Sequence, residues 1–267
     1  MTMKKNLLWM CMSALVVLSC NTKSTSTSSN GEEQKVDRKL STQVFTYEND
    51  DEHAQVKLSI EMPVGGDELL GNSIYDVITE FLTNDHDCSD DLDEYRNDGQ
   101  ELVELFGRWM SDDLQEQWNY YAEDTDDDAT FSSSATFSII ECNEKYVTCL
   151  YETEYFNMAD GFWEKNGVSI LMSDCSRITN DFLFKDPTST ELAKVLRDDM
   201  VSINGGAWED PDLEDVESVM NDQTFYVTSE GLAYFFRRGL LYPQNIEGIL
   251  TWDKVQDLLT DEAKKLM

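Results

Sequence analysis

Apolar residues in this chain switch repeatedly between strand and helix spacing, and that alternation restricts the fold more than any other feature. Val56, Leu58, Ile60 and Met62 alternate strictly with polar neighbours, the pattern of a strand with one buried face. Residues 43–47 read as a strand just ahead of it, and Pro63, Gly65 and Gly66 then break the chain. Leu70, Ile74, Val77, Ile78 and Phe81 recur at helical spacing up to the Thr83-Asn84-Asp85 cluster. A longer stripe, made of Leu102, Leu105, Phe106, Trp109, Leu114, Trp118 and Tyr121, predicts a second helix. Such a helix is about 30 Å long, and an aromatic stripe of this kind is core rather than a ligand platform.

From Ala129 the period returns to two. Residues 135–142, 146–157 and 167–173 predict a three-strand meander, with a tight turn at Asn143-Glu144-Lys145 and a longer loop through Asp160-Gly161. Leu192, Val195, Leu196 and Met200 predict a helix capped by Thr188 or Ser189, with Gly205-Gly206 closing it. Residues 224–228 and 232–236 flank Ser229-Glu230-Gly231 as a hairpin, and 248–251 reads as a last short strand. Trp252, Val255, Leu258 and Leu259 predict a terminal helix whose last turn carries Lys264 and Lys265, favourable at the negative end of the helix dipole. The order predicts an α+β protein, helices packed on antiparallel sheet, in two similar-sized subdomains at 41–160 and 165–267. The meander could also join the two in one sheet.

Ahead of these elements, Lys4 and Lys5 precede an apolar run at 7–18 that is too short for a permanent membrane span. The run ends in Val17-Leu18-Ser19-Cys20, which looks like a bacterial lipobox. Residues 1–19 are therefore expected to be a signal peptide, with lipid attached to Cys20 and a polar, flexible tether at 20–40. The expected location is the bacterial cell envelope, outside the cytoplasm. Loss of the two signal lysines leaves 18 basic against 54 acidic residues, so 18 − 54 = −36 for the mature chain. That charge excludes nucleic acid as a partner, because phosphates need a basic footprint. Disorder is excluded too, since 40% hydrophobic and 11% aromatic residues suffice for a core.

Export also bears on the cysteines. Cys11 leaves with the signal and Cys20 takes lipid, so Cys88, Cys142, Cys149 and Cys175 are the disulfide candidates, with three possible pairings. A turn centred on Lys145-Tyr146 opposes Cys142 to Cys149, whereas one at Glu144-Lys145 opens pairing of either with Cys175. A bridge from Cys142 to a strand neighbour is the favoured expectation.

Motifs for catalysis are absent. There is no His-Glu-x-x-His, Gly-x-Ser-x-Gly, Walker loop or Gly-x-Gly-x-x-Gly. His53 sits at an exposed strand start, and Asp85-His86-Asp87-Cys88 has zinc-ligand types without a second cluster. Residues 85–128 hold 17 acids against Arg96 and Arg108. Within them Asp124, Asp126 and Asp128 resemble the first ligands of a calcium loop, but Ala129 replaces the turn glycine and the closing glutamate is missing. A solvated acidic loop is expected, with no dedicated metal and no cofactor. Arg237-Arg238 reads as a solvated strand end.

From about Gln43 to Met267 the chain resembles a family of uncharacterised extracytoplasmic domains. These occur in the sensor regions of RsiV-type anti-sigma factors, beside the catalytic domain of PdaC-type peptidoglycan deacetylases, and in small bacterial lipoproteins. The likeness rests on the strand with Leu58 and Ile60, the helix from Leu69, and Lys145-Tyr146-Val147 in the meander. It continues through Asp181-Phe182-Leu183-Phe184, Phe225-Tyr226-Val227 with Gly231-Leu232, the segment from Tyr242-Pro243 to Gly248, and the ending from Trp252 to Leu259. Two segments depart from the family pattern, Met158 to Trp163 and Tyr242-Pro243-Gln244-Asn245. The resemblance implies two α+β parts and a binding or sensing role. It suggests a basic protein such as lysozyme, or a cell-wall glycan, as the partner. The alternatives are a glycan-active enzyme using paired carboxylates and a passive structural lipoprotein.

Overall fold

The computed structural model describes residues 20–21, 24–27, 33–36, 38–84, 92–121, 130–157, 160–221 and 223–267. Five long strands form the first sheet: β1 (Lys39–Asp50), β2 (Ala54–Gly66), β3 (Phe131–Cys142), β4 (Tyr146–Asn157) and β5 (Asp160–Leu171). Their order in the sheet is their order in the chain, and Cys20–Asn21 pairs with the start of β1 at the edge. β1–β2, β3–β4 and β4–β5 are antiparallel, whereas β2 and β3 run parallel. A parallel pair needs a long crossover. It is supplied by α1 (Glu68–Asn84) and α2 (Gly99–Tyr121), the two helices read from the apolar stripes.

Both helices cover one face of the sheet. Leu58, Ile60, Phe137, Val147 and Ile170 meet Leu70, Ile74, Ile78, Leu102 and Phe106 in one buried cluster. The chain then builds a second, antiparallel sheet from β6 (Phe225–Val227), β7 (Gly231–Phe236) and β8 (Ile246–Thr251), with β7 in the middle. On its outer face packs α3 (Thr190–Asn204), whose Leu192, Leu196 and Met200 join Phe225, Tyr234 and Leu250. Ser189 caps α3 and Gly205 ends it in the left-handed region, as the sequence predicts.

The two sheets meet face to face. Leu150 on β4 packs with Tyr226, Ala233 and Ile249. Thr148 Oγ1 donates to the Val227 carbonyl (2.7 Å), and the Val227 amide donates to Ser169 Oγ (2.8 Å). Gly167 makes the approach possible, because a Cβ there would fall 2.3 Å from Tyr226 Cδ1. The layers are thus helix, sheet, sheet, helix, an α+β architecture of two subdomains.

Several sequence expectations change in detail. β5 starts at Asp160 and belongs wholly to the first sheet, so the subdomains divide after Leu171 rather than at 160–165. Pro63 does not end β2; it lies opposite a register shift between Ser41 and Thr42, where its missing N–H is tolerated. The terminal helix is one turn, Trp252–Val255, followed by a bridge between Leu259 and Phe184. Bonds from the Lys185 amide to the Leu258 carbonyl and from the Thr260 amide to the Leu183 carbonyl pull that segment out of helix. Lys264 and Lys265 consequently sit in a 3-10 turn, paired with Asp261 and Glu262.

The cysteine expectation also changes. The hairpin places Cys142 opposite Val147 and Cys149 opposite Ile139, so the two cysteines are not cross-strand neighbours. Cys149 and Cys175 carry free thiols, and burial raises the pKa of both. Cys88 lies outside the described residues.

Candidate functional site

Side chains alternate between the faces of a strand. Because Thr148 and Leu150 face the second sheet, Glu152, Glu154 and Phe156 continue along that face of β4. The register then lines up a row across the first sheet: Glu48, Lys57, Ser134, Glu154 and Trp163 on five successive strands. A second row runs Asp50, Gln55, Ser132, Phe156 and Gly161. The second sheet rests mainly on β4 and β5, with Ser229 of its hairpin turn bonded to Glu141 at the end of β3, so the rest of β1 to β3 presents a polar face on which Thr46, Glu48, Lys57 and Thr136 are exposed.

Where this polar face meets the second sheet lies a groove of about 470 Å³. Its floor is Lys57, Ser134 and Glu154; its aromatic wall is Phe156, Phe162 and Trp163; its far rim is Arg238 and Asn245. The Phe156 ring lies over Gly161, with Cδ2 3.6 Å from where a Cβ would stand, and remains 48% exposed. Trp163 is buttressed from behind, edge-on to Phe235 at 4.9 Å and with the Lys165 ammonium 5.4 Å from its ring. Lys165 is itself fixed by Glu247 (2.9 Å) and Glu152 (3.5 Å). Burial pulls its pKa down, but the bond to Glu247 and the surrounding acids outweigh it and the net shift is upward.

The rim is held by a turn. The Gly239 amide donates to the Tyr242 carbonyl at 2.7 Å, and Gly239 takes a left-handed φ of +83°. Asn245 Oδ1 accepts from the Arg238 amide (2.7 Å) while its Nδ2 donates to the Trp163 carbonyl (3.3 Å). Arg237 pairs with Glu164 at 3.1 Å. Arg237-Arg238 is an exposed strand end, as the sequence suggests, and these bonds also tie it to Trp163 and Glu164 near the start of β5.

Chemically, the groove offers aromatic faces beside hydroxyl, amide, guanidinium and carboxylate groups, the mixture that orients a polar ligand carrying an apolar side. A second cleft of about 410 Å³ at the end of β2 is lined by Pro63, Asn72, Tyr75 and Arg96. Its guanidinium is already stacked on Tyr75 and bonded to Asp76, Asp93 and Asn72. The wider groove is thus the better candidate.

The sequence-predicted sites fall elsewhere. Asp124, Asp126, Asp128, His86 and Cys88 lie outside the described residues, and Cys20 is described through its backbone alone. His53 is not a bare surface position: its ring stacks on Trp118 at 4.1 Å. Among the described residues no three His, Cys, Asp or Glu side chains converge as a metal site, and no helix is long and apolar enough to cross a membrane. Phe156, Trp163, Arg238 and Asn245 escaped the sequence reading, yet three of them lie in or next to the two segments that depart from the family pattern.

No protein-family model and no curated protein matches the sequence. Several solved structures share its fold, two of them from named bacteria. One is a member of the DUF3298 family from Bacteroides fragilis, with a TM-score of 0.58 and 10% identity over 84% of this chain and 95% of that one. The other is a DUF3298 family protein from Pseudomonas aeruginosa, with a TM-score of 0.53 and 9% identity over 84% of this chain and 96% of that one. At such identity the likeness is one of fold, and by fold this chain is similar to proteins of an uncharacterised bacterial domain family.

Proposed function

We propose that this chain is an exported lipoprotein of the bacterial envelope that holds a cell-wall glycan in the groove between its two sheets, without catalysing a reaction on it. The observation that carries the reading is the aromatic wall of Phe156 and Trp163 standing beside the polar side chains of Lys57, Ser132, Ser134 and Glu154. Sugars present C–H faces that lie on aromatic rings and hydroxyls that need donors and acceptors beside them. Glycoside hydrolysis needs two carboxyl groups flanking the bond. Glu154 is the single carboxylate among the described residues lining the groove, which favours holding over cleavage. The lipobox-like run ending at Cys20 supports export and anchoring, and the family resemblance supports a sensing role like that of RsiV-type domains.

Titration calorimetry of the mature protein with soluble β-1,4-linked N-acetylglucosamine oligomers tests the reading. Saturable binding, lost in a Phe156→Ala, Trp163→Ala double variant that still melts cooperatively, supports it. No heat with the oligomers, together with retained binding of a basic protein such as lysozyme by that variant, would move the function to the acidic surface. Anchoring is tested separately: intact mass of membrane-extracted protein shows acyl addition on an N-terminal Cys20, and Cys20→Ala is exported but no longer sediments with membranes.

A further inference from the structure

Three charged side chains among the described residues line the groove, and two of them are engaged. Lys57 is paired with Glu48 at 3.2 Å, and Arg238 has interactions of its own. Glu154 is exposed and makes no hydrogen bond or ion pair among the described residues.

Strand register sets what surrounds that carboxylate. Glu154 lies directly opposite Trp163 on the neighbouring antiparallel strand, which puts their Cβ atoms about 5 Å apart. Phe156 follows two residues on, along the same face of β4, and Ser134 stands opposite Glu154 on β3. A sugar ring laid on Trp163 or Phe156 therefore brings its substituents within reach of the carboxylate. Lys57 stands two strand spacings away, about 10 Å, which exceeds the Debye length of about 8 Å at physiological ionic strength, so its opposing charge is largely screened. Lys165, beside Trp163, is neutralised by Glu247 and Glu152.

An unpaired carboxylate beside aromatic faces discriminates by charge. An ammonium group gains a charge-assisted hydrogen bond from the first and attraction to the ring quadrupole from the second. An N-acetyl group offers the carboxylate only a neutral N–H. At longer range, 54 acidic against 20 basic residues favour the approach of a cationic ligand.

We infer that the groove prefers glycans carrying free amino groups over their N-acetylated counterparts, the protonated amine pairing with Glu154 while Phe156 and Trp163 hold the sugar ring. This rests on the glycan-binding function proposed above and names the class of glycan.

The test compares two ligands of equal length by calorimetry at physiological salt and pH 6, where the amine is protonated: a β-1,4-linked N-acetylglucosamine tetramer and the same tetramer without its acetyl groups. The expected result is about tenfold tighter binding of the amino ligand, the scale of one charge-assisted hydrogen bond. Glu154→Gln keeps the side-chain volume at an exposed position, and in that variant the two affinities should converge with the melting temperature unchanged. Glu191→Gln, an equal loss of charge on the exposed surface of α3, should keep the preference. A preference that survives in Glu154→Gln, or that falls as far in Glu191→Gln, assigns the attraction to the acidic surface as a whole and overturns the role of Glu154. Equal or weaker binding of the amino ligand by the natural protein overturns amine selection while leaving glycan binding intact. Failure of both ligands to bind removes the glycan reading itself and the inference with it.

Discussion

Asn245 and Trp163 are joined across the two sheets: the Asn245 side chain donates to the Trp163 carbonyl at 3.3 Å while accepting from the Arg238 amide at 2.7 Å. One amide thereby fixes the rim of the groove against its aromatic wall. Asn245→Ala removes both bonds, and a net loss of about 1–2 kcal/mol is expected from urea unfolding. The variant should lose glycan affinity out of proportion to that figure, because the rim is no longer placed over the floor.

Arg38 ties the entry of the folded chain to two distant elements. Its Nε donates to the Met172 carbonyl (2.6 Å), its Nη2 to the Ser173 carbonyl (3.2 Å), and its Nη1 pairs with Asp67 (2.6 Å). Asp67 also accepts from the Leu70 amide in the first turn of α1. The guanidinium is buried and Asp67 is partly exposed, so Arg38→Met should cost about 2–3 kcal/mol, below the figure for a fully buried pair. Chemical denaturation measures it. A loss under 0.5 kcal/mol, within the range of ordinary surface changes, would refute the clamp.

Gly167 is the close-approach point between the sheets. In Gly167→Ala the new methyl meets the Tyr226 ring, and the expected destabilisation is about 1–3 kcal/mol, the range for overpacking. Shortening the ring's reach with a Gly167→Ala, Tyr226→Leu double variant should recover part of the loss, which a double-mutant cycle reads directly.

Two buried phenols set an alkaline limit. Burial, then hydrogen bonds to carboxylates, raise Tyr146 (through Glu141) and Tyr234 (through Asp199) well above the ordinary tyrosine range. The folded state favours the neutral phenol. The stability this contributes is complete below the unfolded pKa of about 10 and is lost as pH rises towards the folded values. The melting temperature should thus fall steeply above pH 10. Absorbance titration should show these two phenols ionising only with unfolding.

Cys149 and Cys175 are buried thiols held above their usual pKa by that burial. Neither should react with iodoacetamide at pH 8 in the native protein, and both should react once it is unfolded, as peptide mapping by mass spectrometry shows. Labelling of Cys149 in folded protein would contradict its place in the core.

Much of the architecture is legible because it is local. The strict alternation from Val56 to Met62 and the stripe from Leu102 to Tyr121 each bury one face, and no tertiary neighbour is needed to recognise that. Ser189 and Gly205 mark their helix by backbone chemistry alone. The terminal helix is shorter than the spacing of Val255, Leu258 and Leu259 predicts, because the chain there gains more by bridging to Leu183, Phe184 and Lys185.

The sequence by itself determined the acidic surface and the apolar faces of the strands and helices, because each depends on residue type and short spacing. Only the tertiary structure decided the groove. Lys57, the Phe156–Trp163 hairpin and Arg238 lie far apart along the chain, and none carries a local signature of function. They meet because a parallel junction sets β2 beside β3 and because Gly167 lets the second sheet close on β4 and β5. Strand pairing depends on hydrogen bonds between backbones distant in sequence, so the register that aligns Lys57 with Glu154 and Trp163 is a property of the folded sheet.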